Sequence, residues 1–377
     1  MKFLRGLKRG FASTIEVKIP TIETHLMKES PPTTTTTTAE ELIRYHKETL
    51  LMRRMEIACD LLYKNKEIFG FCHLYDGQEA IALGIDEAVT HEDPIITAYR
   101  SHGIALTRGI PMWRIFAEMI GTEGAATKGK GGSMHFYSKK HNFYGGSGII
   151  GDQISVGTGL AFALKYNKQR NCSVVMYGDG AANQGQLYES ANMASIWKIP
   201  VIYICENNNY AMGTSVERSS AGGSDFHKKI YNVPGLCTSG QNIFGVRETM
   251  KFAKEYAVEN GPVVINFRTY RFHGHSMSDP GITYRTREEV QDKRKTSDPL
   301  LVTKQLILDN GILNEVELKK LDTEAKDIVN EAVAKAKQGK KLDTKSLLED
   351  VYDPETKMFI RAPNYEDSIF VNEKLVN

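Results

Sequence analysis

Residues 171–213 read NCSVVMYGDGAANQGQLYESANMASIWKIPVIYICENNNYAMG, and this stretch predicts the fold. The run at 172–177 is short, apolar and β-branched, which is typical of a buried strand. Apolar residues at helical spacing cover 183–197, Pro200 ends that helix, and 201–205 is a second apolar strand. A strand, a crossover helix and another strand form a βαβ unit, whose two strands run parallel. The sequence therefore predicts an α/β fold built on a parallel sheet.

Polar residues follow both predicted strands. Gly178-Asp179-Gly180 ends the first strand, and Asn207-Asn208 follows the second. Parallel strands end at the same edge of a sheet, where open α/β sheets bind ligands. A carboxylate, an amide oxygen and a backbone carbonyl are ligands that Mg²⁺ accepts and shares with substrate phosphates, while the glycines leave room for a phosphate to approach the backbone. This edge is predicted to bind Mg²⁺ and a diphosphate.

The spacing of GDG, 26 residues and NN resembles the thiamine diphosphate motif. Further matching stretches extend the resemblance from about residue 46 to residue 352; they are GFCHLYDGQEA at 70–80, AYR at 98–100, KGKGGSM at 128–134 and YRFHGHSMSDP at 270–280. The chain is similar to the α subunits of thiamine diphosphate-dependent 2-oxo acid dehydrogenases. The resemblance implies a thiamine diphosphate-binding fold, with helices on both faces of a parallel sheet and a helical C-terminal extension.

The resemblance also implies a role for individual residues. The expected Mg²⁺ ligands are Asp179, Asn208 and the backbone carbonyl of Tyr210. The residues expected to hold the diphosphate end of the cofactor are Tyr99, Arg100, Asp179, Gly180, Ala181, Asn208 and Arg271. Arginine suits this role because its guanidinium donates two hydrogen bonds to phosphate oxygens at once.

The remaining implied residues face the organic part of the cofactor. Backbone groups of Gly148 and Ile150 are expected to bind the aminopyrimidine ring, and Ile150 is expected to pack near the bend of the cofactor. His73 and His275 are the expected catalytic residues, which transfer protons or position the substrate on the thiazolium side.

The implied activity is the oxidative decarboxylation of pyruvate, with transfer of the acetyl group to a lipoyl group on an acetyltransferase component. In this family a β subunit supplies the glutamate that activates the aminopyrimidine, so the chain is expected to act within an α₂β₂ heterotetramer and to be inactive alone. A kinase and a phosphatase are the other implied partners, with Ser276, Thr283 and Ser215 as phosphorylation sites. A phosphate on Ser276 is expected to disorder the loop from 271 to 287 and to block lipoyl access.

Three alternatives stay open at this point. The α subunit of a branched-chain 2-oxo acid or acetoin dehydrogenase would share the fold and cofactor, although the run HGHSMSDP favours the pyruvate enzyme. A non-catalytic regulatory relative would bind only a β-like partner. A nicotinamide dehydrogenase would use the GxGxxG run at 146–151, but no clear apolar strand precedes that run, and Lys168 and Arg170 stand where an acidic residue is expected.

Composition excludes some classes of partner. The formal net charge is +2, which indicates no nucleic-acid partner, and no apolar run reaches the roughly 20 residues of a membrane span. The five cysteines are widely spaced and contain no CxxC pair, so a reducing compartment is expected.

The chain is predicted to have three segments: 1–38, 39–295 and 296–377. The first begins with a basic, acid-poor stretch that carries Lys2, Arg5, Lys8 and Arg9, which is typical of a mitochondrial transit peptide and predicts the mitochondrial matrix. It ends in two prolines and six threonines at 31–38, expected to be a low-complexity spacer. The second segment is the cofactor-binding domain, and the third is a helical extension followed by an extended tail.

Other local patterns predict helices at 39–65 and 77–89, and a capping box at Asn314 and Glu317 that starts a helix ending near residue 337. The segment 122–151 is rich in Gly, Ser and Lys and has no sustained period, so a functional loop is expected there.

Overall fold

The computed structural model describes residues 14–344, 346, 349–350, 358–360 and 369–371. It divides into two compact units, Met1–Gly339 and Lys340–Asn377. Among the helices so described, none combines the length and the apolar character needed to cross a membrane.

The strands, in chain order, are β1 (Ile15–Lys18), β2 (Glu23–His25), β3 (Thr34–Thr37), β4 (Ile95–Ala98), β5 (Phe143–Ser147), β6 (Ser173–Gly178), β7 (Val201–Asn207), β8 (Tyr210–Ala211), β9 (Thr214–Ser215), β10 (Gly235–Ser239), β11 (Val263–Arg268), β12 (Met358–Ile360) and β13 (Ile369–Val371). The α-helices are α1 (Ala39–Lys64), α2 (Glu79–Asp86), α3 (His102–Thr107), α4 (Met112–Ile120), α5 (Asp152–Tyr166), α6 (Gly185–Trp197), α7 (Val216–Ser219), α8 (Ile243–Asn260), α9 (Arg287–Thr296), α10 (Pro299–Asp309) and α11 (Glu315–Lys337). In the second unit, β12 pairs with β13 in antiparallel fashion.

A seven-stranded sheet in the order β2-β10-β11-β7-β6-β4-β5 forms the centre of the first unit. Only β2 runs antiparallel to its neighbour; the other adjacent pairs are parallel. Side chains of β7 alternate between two cores, with Ile202 and Ile204 on one face and Val201, Tyr203 and Cys205 on the other. Because both faces are apolar and buried, helices must cover both of them.

Helices do cover both faces of the sheet. Residues of α5 and α6 such as Ile154, Leu187 and Ala191 pack with one face, and residues of α1, α2, α4 and α8 pack with the other. The α/β fold predicted from residues 171–213, a parallel sheet between two helical layers, is therefore confirmed.

The local predictions for the main body are also confirmed. α1, α2, β6, α6 and β7 lie where helix or strand was expected, with ends that differ by a few residues. The capping box of α11 is present: the side chain of Asn314 accepts from the backbone N–H of Glu317 at 3.0 Å, and the Glu317 carboxylate accepts from the N–H of Asn314 at 2.9 Å. α10 and α11 pack against α1. The three-segment division of the chain stays a prediction.

The prediction of a low-complexity spacer at 31–38 is wrong. Thr34–Thr37 forms β3, which pairs with β1, and the Thr35 hydroxyl donates to Glu248 Oε1 at 2.9 Å. Arg247 Nη2 donates to the same hydroxyl at 2.8 Å. The repeat suggested a spacer, but threonine is β-branched and favours strands when a partner is available. The predicted transit peptide falls mostly on residues 1–13, outside the described residues, and its last residues belong to β1.

The predicted loop at 122–151 contains an edge strand, β5. Two glycines hide it from pattern analysis, because glycine is depleted in strands. A Cβ on Gly145 would lie 2.2 Å from the Tyr137 ring, and one on Gly146 would lie 2.2 Å from the Met134 carbonyl. Residues 134–137 therefore approach the backbone of β5 so closely that only glycine fits at positions 145 and 146, although glycine lowers the strand propensity of this segment.

Candidate active site

A cavity of about 340 Å³ lies at the edge where β4, β6 and β7 end. Ten residues expected at the site line it: Tyr99, Arg100, Ile150, Asp179, Gly180, Ala181, Asn208, Tyr210, Arg271 and His275. This volume lies within the range of ligand-binding sites. The structure thus brings together most of the residues selected from the sequence.

Asp179 is a buried carboxylate without a full set of partners. Its side chain is next to the end of β6, only 2% of the residue is exposed, and Oδ2 has no hydrogen-bond partner. Burial raises the pKa of this carboxyl to about 6, although the Arg271 guanidinium acts in the opposite direction. An orphaned buried oxygen of this kind fits a cation ligand.

Asn208 presents its amide oxygen at the same edge. Its Nδ2 donates to Gln78 Oε1 at 3.0 Å, which orients the amide, and Oδ1 accepts weakly from the N–H of Tyr210 at 3.5 Å. The chain then turns sharply through Asn209, whose φ is +71°, into the hairpin of β8 and β9. The carbonyl of Tyr210 accepts from Arg271 Nη1 at 3.1 Å.

The two glycines of the GDG run differ in what requires them. A Cβ on Gly180 would lie 2.7 Å from the Cβ of Ala211, so only glycine lets the β8–β9 hairpin approach. A Cβ on Gly178 would meet nothing within 4 Å. Gly178 lines the open space of the cavity, so contacts within the protein do not require glycine at this position.

Two buried guanidinium groups make the cavity electropositive. Arg271 is 2% exposed; its Nη2 donates to the Met212 carbonyl at 3.2 Å, and its Nε has no partner. Burial and the nearby Arg100 lower the pKa of Arg271 to about 10, which leaves it charged at neutral pH. Arg100 donates to the carbonyls of Leu74 and His275, at 2.5 and 2.8 Å. The guanidinium groups of Arg100 and Arg271 carry two positive charges, against one negative charge on an ionised Asp179. This excess of positive charge favours the binding of a multivalent anion.

The two candidate histidines lie together in the uncharged form. The rings of His73 and His275 are 5.1 Å apart, and His73 is 4.4 Å from the ring of Tyr99. Burial and the charge of Arg100 lower the pKa of His73 to about 2 and the pKa of His275 to about 3. Arg271 Nη1 lies 3.3 Å from His275 Nδ1, a donation that requires the proton of His275 to be on Nε2. His73 does not line the cavity.

Gly148 is the other expected residue that the structure does not bring to the cavity lining. It follows β5, where an added Cβ would lie 3.3 Å from the His135 ring. Ile150 does line the cavity, and it is 45% exposed, while Ile149 is 70% exposed. The side of the cavity expected to hold the aminopyrimidine ring is therefore open and apolar.

Glu206 and Gln78 are two cavity residues that were not predicted from the sequence. Both line the cavity, and Glu206 Oε1 accepts from Tyr75 Oη at 2.6 Å and from Gln78 Nε2 at 3.1 Å. Burial raises the pKa of Glu206 to about 7. Two signals could have identified them: Glu206 directly precedes the Asn pair, and Gln78 lies within the matching stretch at 70–80.

The GxGxxG run at 146–151 differs in one respect from the sequence-based expectation that no strand precedes it. A strand, β5, does lead into the run and ends at Ser147 within it, and a helix, α5, starts at Asp152 directly after the run. β5 was not recognised because its glycines carry no apolar signal. The expected acidic residue is still missing, since Lys168 and Arg170 occupy that part of the sequence.

The candidate phosphorylation sites have different environments. Ser276 is 8% exposed and lines a second cavity, of about 410 Å³, together with Arg285 and Arg294. Thr283 is exposed, and the Ser215 hydroxyl caps α7 by accepting from the N–H of Arg218 at 3.4 Å. Ser276 therefore lines a different cavity from the one that its neighbour His275 lines.

The raised pKa of Asp179 predicts a pH-dependent stability. In metal-free protein the folded state binds more protons than the unfolded state between about pH 4 and pH 6, so stability falls as the pH rises through this window. Asp179→Asn removes this penalty. We expect the metal-free variant to be about 1–3 kcal/mol more stable than the parent at pH 7.5 and equally stable near pH 4, by urea denaturation.

Asp279→Asn is the matched control. Tyr284 Oη and the N–H of His275 both donate to the Asp279 carboxylate at 2.6 Å, and the pKa of this group is lowered. Its replacement should therefore reduce stability at pH 7.5. Equal losses of stability in the two variants would contradict the description of Asp179.

Comparisons with known proteins identify the family. The model of the family described as "Dehydrogenase E1 component" matches residues 47–345. The mitochondrial pyruvate dehydrogenase E1 component subunit alpha-1 of Oryza sativa subsp. japonica is 49% identical over 339 residues, which cover 90% of this chain and 86% of the rice protein.

Similarity of this extent is not confined to plants. The mitochondrial pyruvate dehydrogenase E1 component subunit alpha of Sminthopsis macroura is 45% identical over 357 residues, or 94% of this chain and 98% of the relative. The protein of the same name from Dictyostelium discoideum is 49% identical over 351 residues, or 92% of each chain. The chain therefore belongs to the dehydrogenase E1 component family.

Proposed function

We propose that this chain is the α subunit of a mitochondrial pyruvate dehydrogenase that oxidatively decarboxylates pyruvate and transfers the acetyl group to lipoyl groups of the acetyltransferase component. The observation that carries the proposal is the cavity in which a partnerless Asp179 oxygen lies among the buried guanidinium groups of Arg100 and Arg271. The relatives named above bear this activity in their names and the word mitochondrial as well. We therefore assign the chain to the mitochondrial matrix.

The family depends on thiamine diphosphate, which supplies a nucleophilic carbon and an electron sink for the decarboxylation of a 2-oxo acid. In our proposal Asp179, Asn208 and the Tyr210 carbonyl hold Mg²⁺. The residues that would contact the diphosphate are Tyr99, Arg100, Gly180, Ala181 and Arg271. The orphaned Asp179 oxygen and the open space above Gly178 support this fit.

Mg²⁺ and the diphosphate should bind together. The Tyr210 carbonyl already accepts from Arg271, so a cation at that carbonyl would lie close to a guanidinium group. Like charges repel strongly in a buried site, and the anionic oxygens of the diphosphate relieve that repulsion. Each ligand should therefore increase the affinity for the other.

The chain supplies proton-handling groups but needs a partner to complete the site. We propose that His275 and His73 exchange protons with the reacting groups or position the substrate, since both imidazoles are uncharged. His275 lines the cavity, and the ring of His73 is 5.1 Å from the ring of His275. Gly148 and Ile150 would contact the aminopyrimidine ring. The exposed side chains of Ile149 and Ile150 at the open side suit coverage by a β subunit in an α₂β₂ assembly.

The function can be tested with the chain co-expressed with its β subunit. We expect CO₂ release that requires both thiamine diphosphate and Mg²⁺, and that favours pyruvate over branched 2-oxo acids by at least about tenfold. A preference for branched acids would identify a branched-chain enzyme. Failure of a well-formed complex to release CO₂ from either substrate would indicate a regulatory subunit.

The role of His275 predicts a separation of turnover from cofactor binding. In the assembled enzyme, His275→Asn should lower kcat by about 10²–10⁴, because proton transfer loses its positioned group, and should change the affinity for thiamine diphosphate little. His273→Asn is the control: His273 Nδ1 binds the Asp76 carboxylate at 2.6 Å, and His273 does not line the cavity. Similar losses of kcat in both variants would contradict the assignment.

We further propose that pyruvate dehydrogenase kinase and phosphatase act on this chain, with Ser276, Thr283 and Ser215 as candidate acceptors. The side chain of Ser276 is buried and its Oγ is 3.0 Å from Ser278 Oγ. A phosphate adds about −1.5 to −2 charges at the wall of the second cavity, beside Arg285 and Arg294. It would compete for the Arg285 guanidinium, which donates to the carbonyls of Arg271 and His273. The loop that carries His275 would then have to move.

The different exposure of Ser276 and Ser278 allows this mechanism of control by phosphorylation to be tested. Ser276→Glu should reduce the activity of the reconstituted complex by at least about tenfold, because the added charge competes for Arg285 and displaces the loop that Arg285 holds. Ser278 is exposed, so Ser278→Glu should have a much smaller effect. Full activity of Ser276→Glu in the complete complex would rule out this mechanism of control.

A further inference from the structure

Three residues that play no part in the proposed reaction meet at the β2–β10 end of the sheet. Glu23 lies on β2, His227 lies in a 3₁₀ turn at Phe226–Lys228, and Cys237 lies on β10. One carboxylate oxygen, one ring nitrogen and the thiol sulfur are all within 4.8 Å of one another. These residues are absent from the lining of the cofactor cavity.

The imidazole of His227 is buried without partners. The residue is 1% exposed, and neither Nδ1 nor Nε2 has a hydrogen-bond partner. Its Nε2 lies 3.7 Å from Glu23 Oε2, too far for a hydrogen bond. Buried polar atoms are rarely left without partners, because the loss of hydration is costly. The arrangement therefore indicates a ligand.

A second cluster shows that proximity alone does not indicate a ligand. Glu56, Cys59 and His102 are equally close and fully buried. There, however, His102 Nδ1 is 3.0 Å from the Glu56 carboxylate oxygens, and Nε2 is 2.7 Å from Ser133 Oγ. Every polar atom of that imidazole has a partner, so hydrogen bonding within the protein explains the cluster.

We propose that Glu23, His227 and Cys237 bind one Zn²⁺, with a water molecule as the fourth ligand. Zinc takes a nitrogen, a sulfur and an oxygen in a tetrahedral arrangement, in which ligand atoms are roughly 3.5 Å apart. The 3.7 Å separation of His227 Nε2 and Glu23 Oε2 already meets this requirement. The Glu23 side chain is 40% exposed and can move to shorten its distance from Cys237 Sγ. On binding, the Cys237 thiol releases its proton to solvent and coordinates as the thiolate.

Neighbouring groups support the site as outer partners of the ligands. Asn266 Nδ2 lies 3.5 Å from Cys237 Sγ and can donate to the thiolate, while the Ser224 carbonyl holds the same nitrogen at 2.7 Å. Arg268 Nη1 donates to Glu23 Oε1 at 2.8 Å, which leaves Oε2 directed at His227. Such contacts orient metal ligands in proteins.

The local charges are compatible with a bound cation. Arg268 and Lys228 both lie near Glu23, and each also pairs with Asp225, at 3.1 and 2.9 Å. With zinc bound, the thiolate of Cys237 adds a third negative charge beside those of Glu23 and Asp225. Burial lowers the pKa of His227 to about 4, so its imidazole is uncharged at neutral pH, as coordination requires.

A metal at this site would link the N-terminal arm, residues 14–38, to β10 of the sheet. Glu23 belongs to β2 in this arm, and His227 and Cys237 follow about 200 residues later in the chain. Constraints that close long loops can contribute the most to stability. Zinc should therefore hold β2 against β10 and slow proteolysis within the arm.

The test uses the chain assembled with its β subunit and saturated with Mg²⁺ and thiamine diphosphate, after removal of other metals with a chelator. Co²⁺ replaces zinc as the probe, because a bound thiolate produces a charge-transfer absorption that oxygen ligands do not produce. We expect about one Co²⁺ per α chain with this absorption, displaced by Zn²⁺. Cys237→Ser should abolish the absorption, and His227→Gln should weaken binding by at least about tenfold.

Two more variants separate coordination from folding. Glu23→Gln changes an exposed side chain, so the fold should be kept while the affinity for Co²⁺ falls by at least about tenfold. Cys59→Ala, in the hydrogen-bonded cluster, should leave the absorption unchanged. Absence of the absorption in the parent protein, or its persistence in Cys237→Ser, would overturn the proposal.

Discussion

The parallel pairing of β6 with β7 is the constraint on which the candidate site depends. Its register places Gly178 opposite Glu206, so Asp179 and Asn208 leave the sheet at the same edge. Both strands are buried on both faces. A shift of either strand by one residue would move each of its side chains to the opposite core, so the apolar packing fixes the register. The position of the proposed metal ligands is therefore set by the apolar packing of strands that carry no chemistry themselves.

Electrostatics explains why the site needs a ligand. Asp179 and Arg271 are both nearly inaccessible, and each has a polar side-chain atom without a partner. Buried charges are costly unless they are paired and hydrogen-bonded, so the protein maintains this arrangement only because the surrounding fold is stable. In our proposal, a cation together with an anionic diphosphate would satisfy both groups at once.

The loop after β11 connects the first cavity to the second cavity, which Ser276 lines. His275 lines the first cavity, and the next residue, Ser276, lines the second. Arg285 donates to the carbonyls of Arg271 and His273, so one buried guanidinium holds the two ends of this segment together. A charge added at Ser276 must therefore affect His275, because the two residues are adjacent in a backbone segment that these hydrogen bonds make rigid.

The sequence alone determined the βαβ unit, the residue types at its strand ends and the family, because these depend on local periodicity and on motifs with set spacing. Only the tertiary structure decided that the threonine run forms β3, that Gly148 lies off the cavity and that Glu206 lines it. It also decided that Glu23 meets His227 and Cys237. These features arise from contacts between residues far apart in the chain, and no periodicity within a local window encodes such contacts.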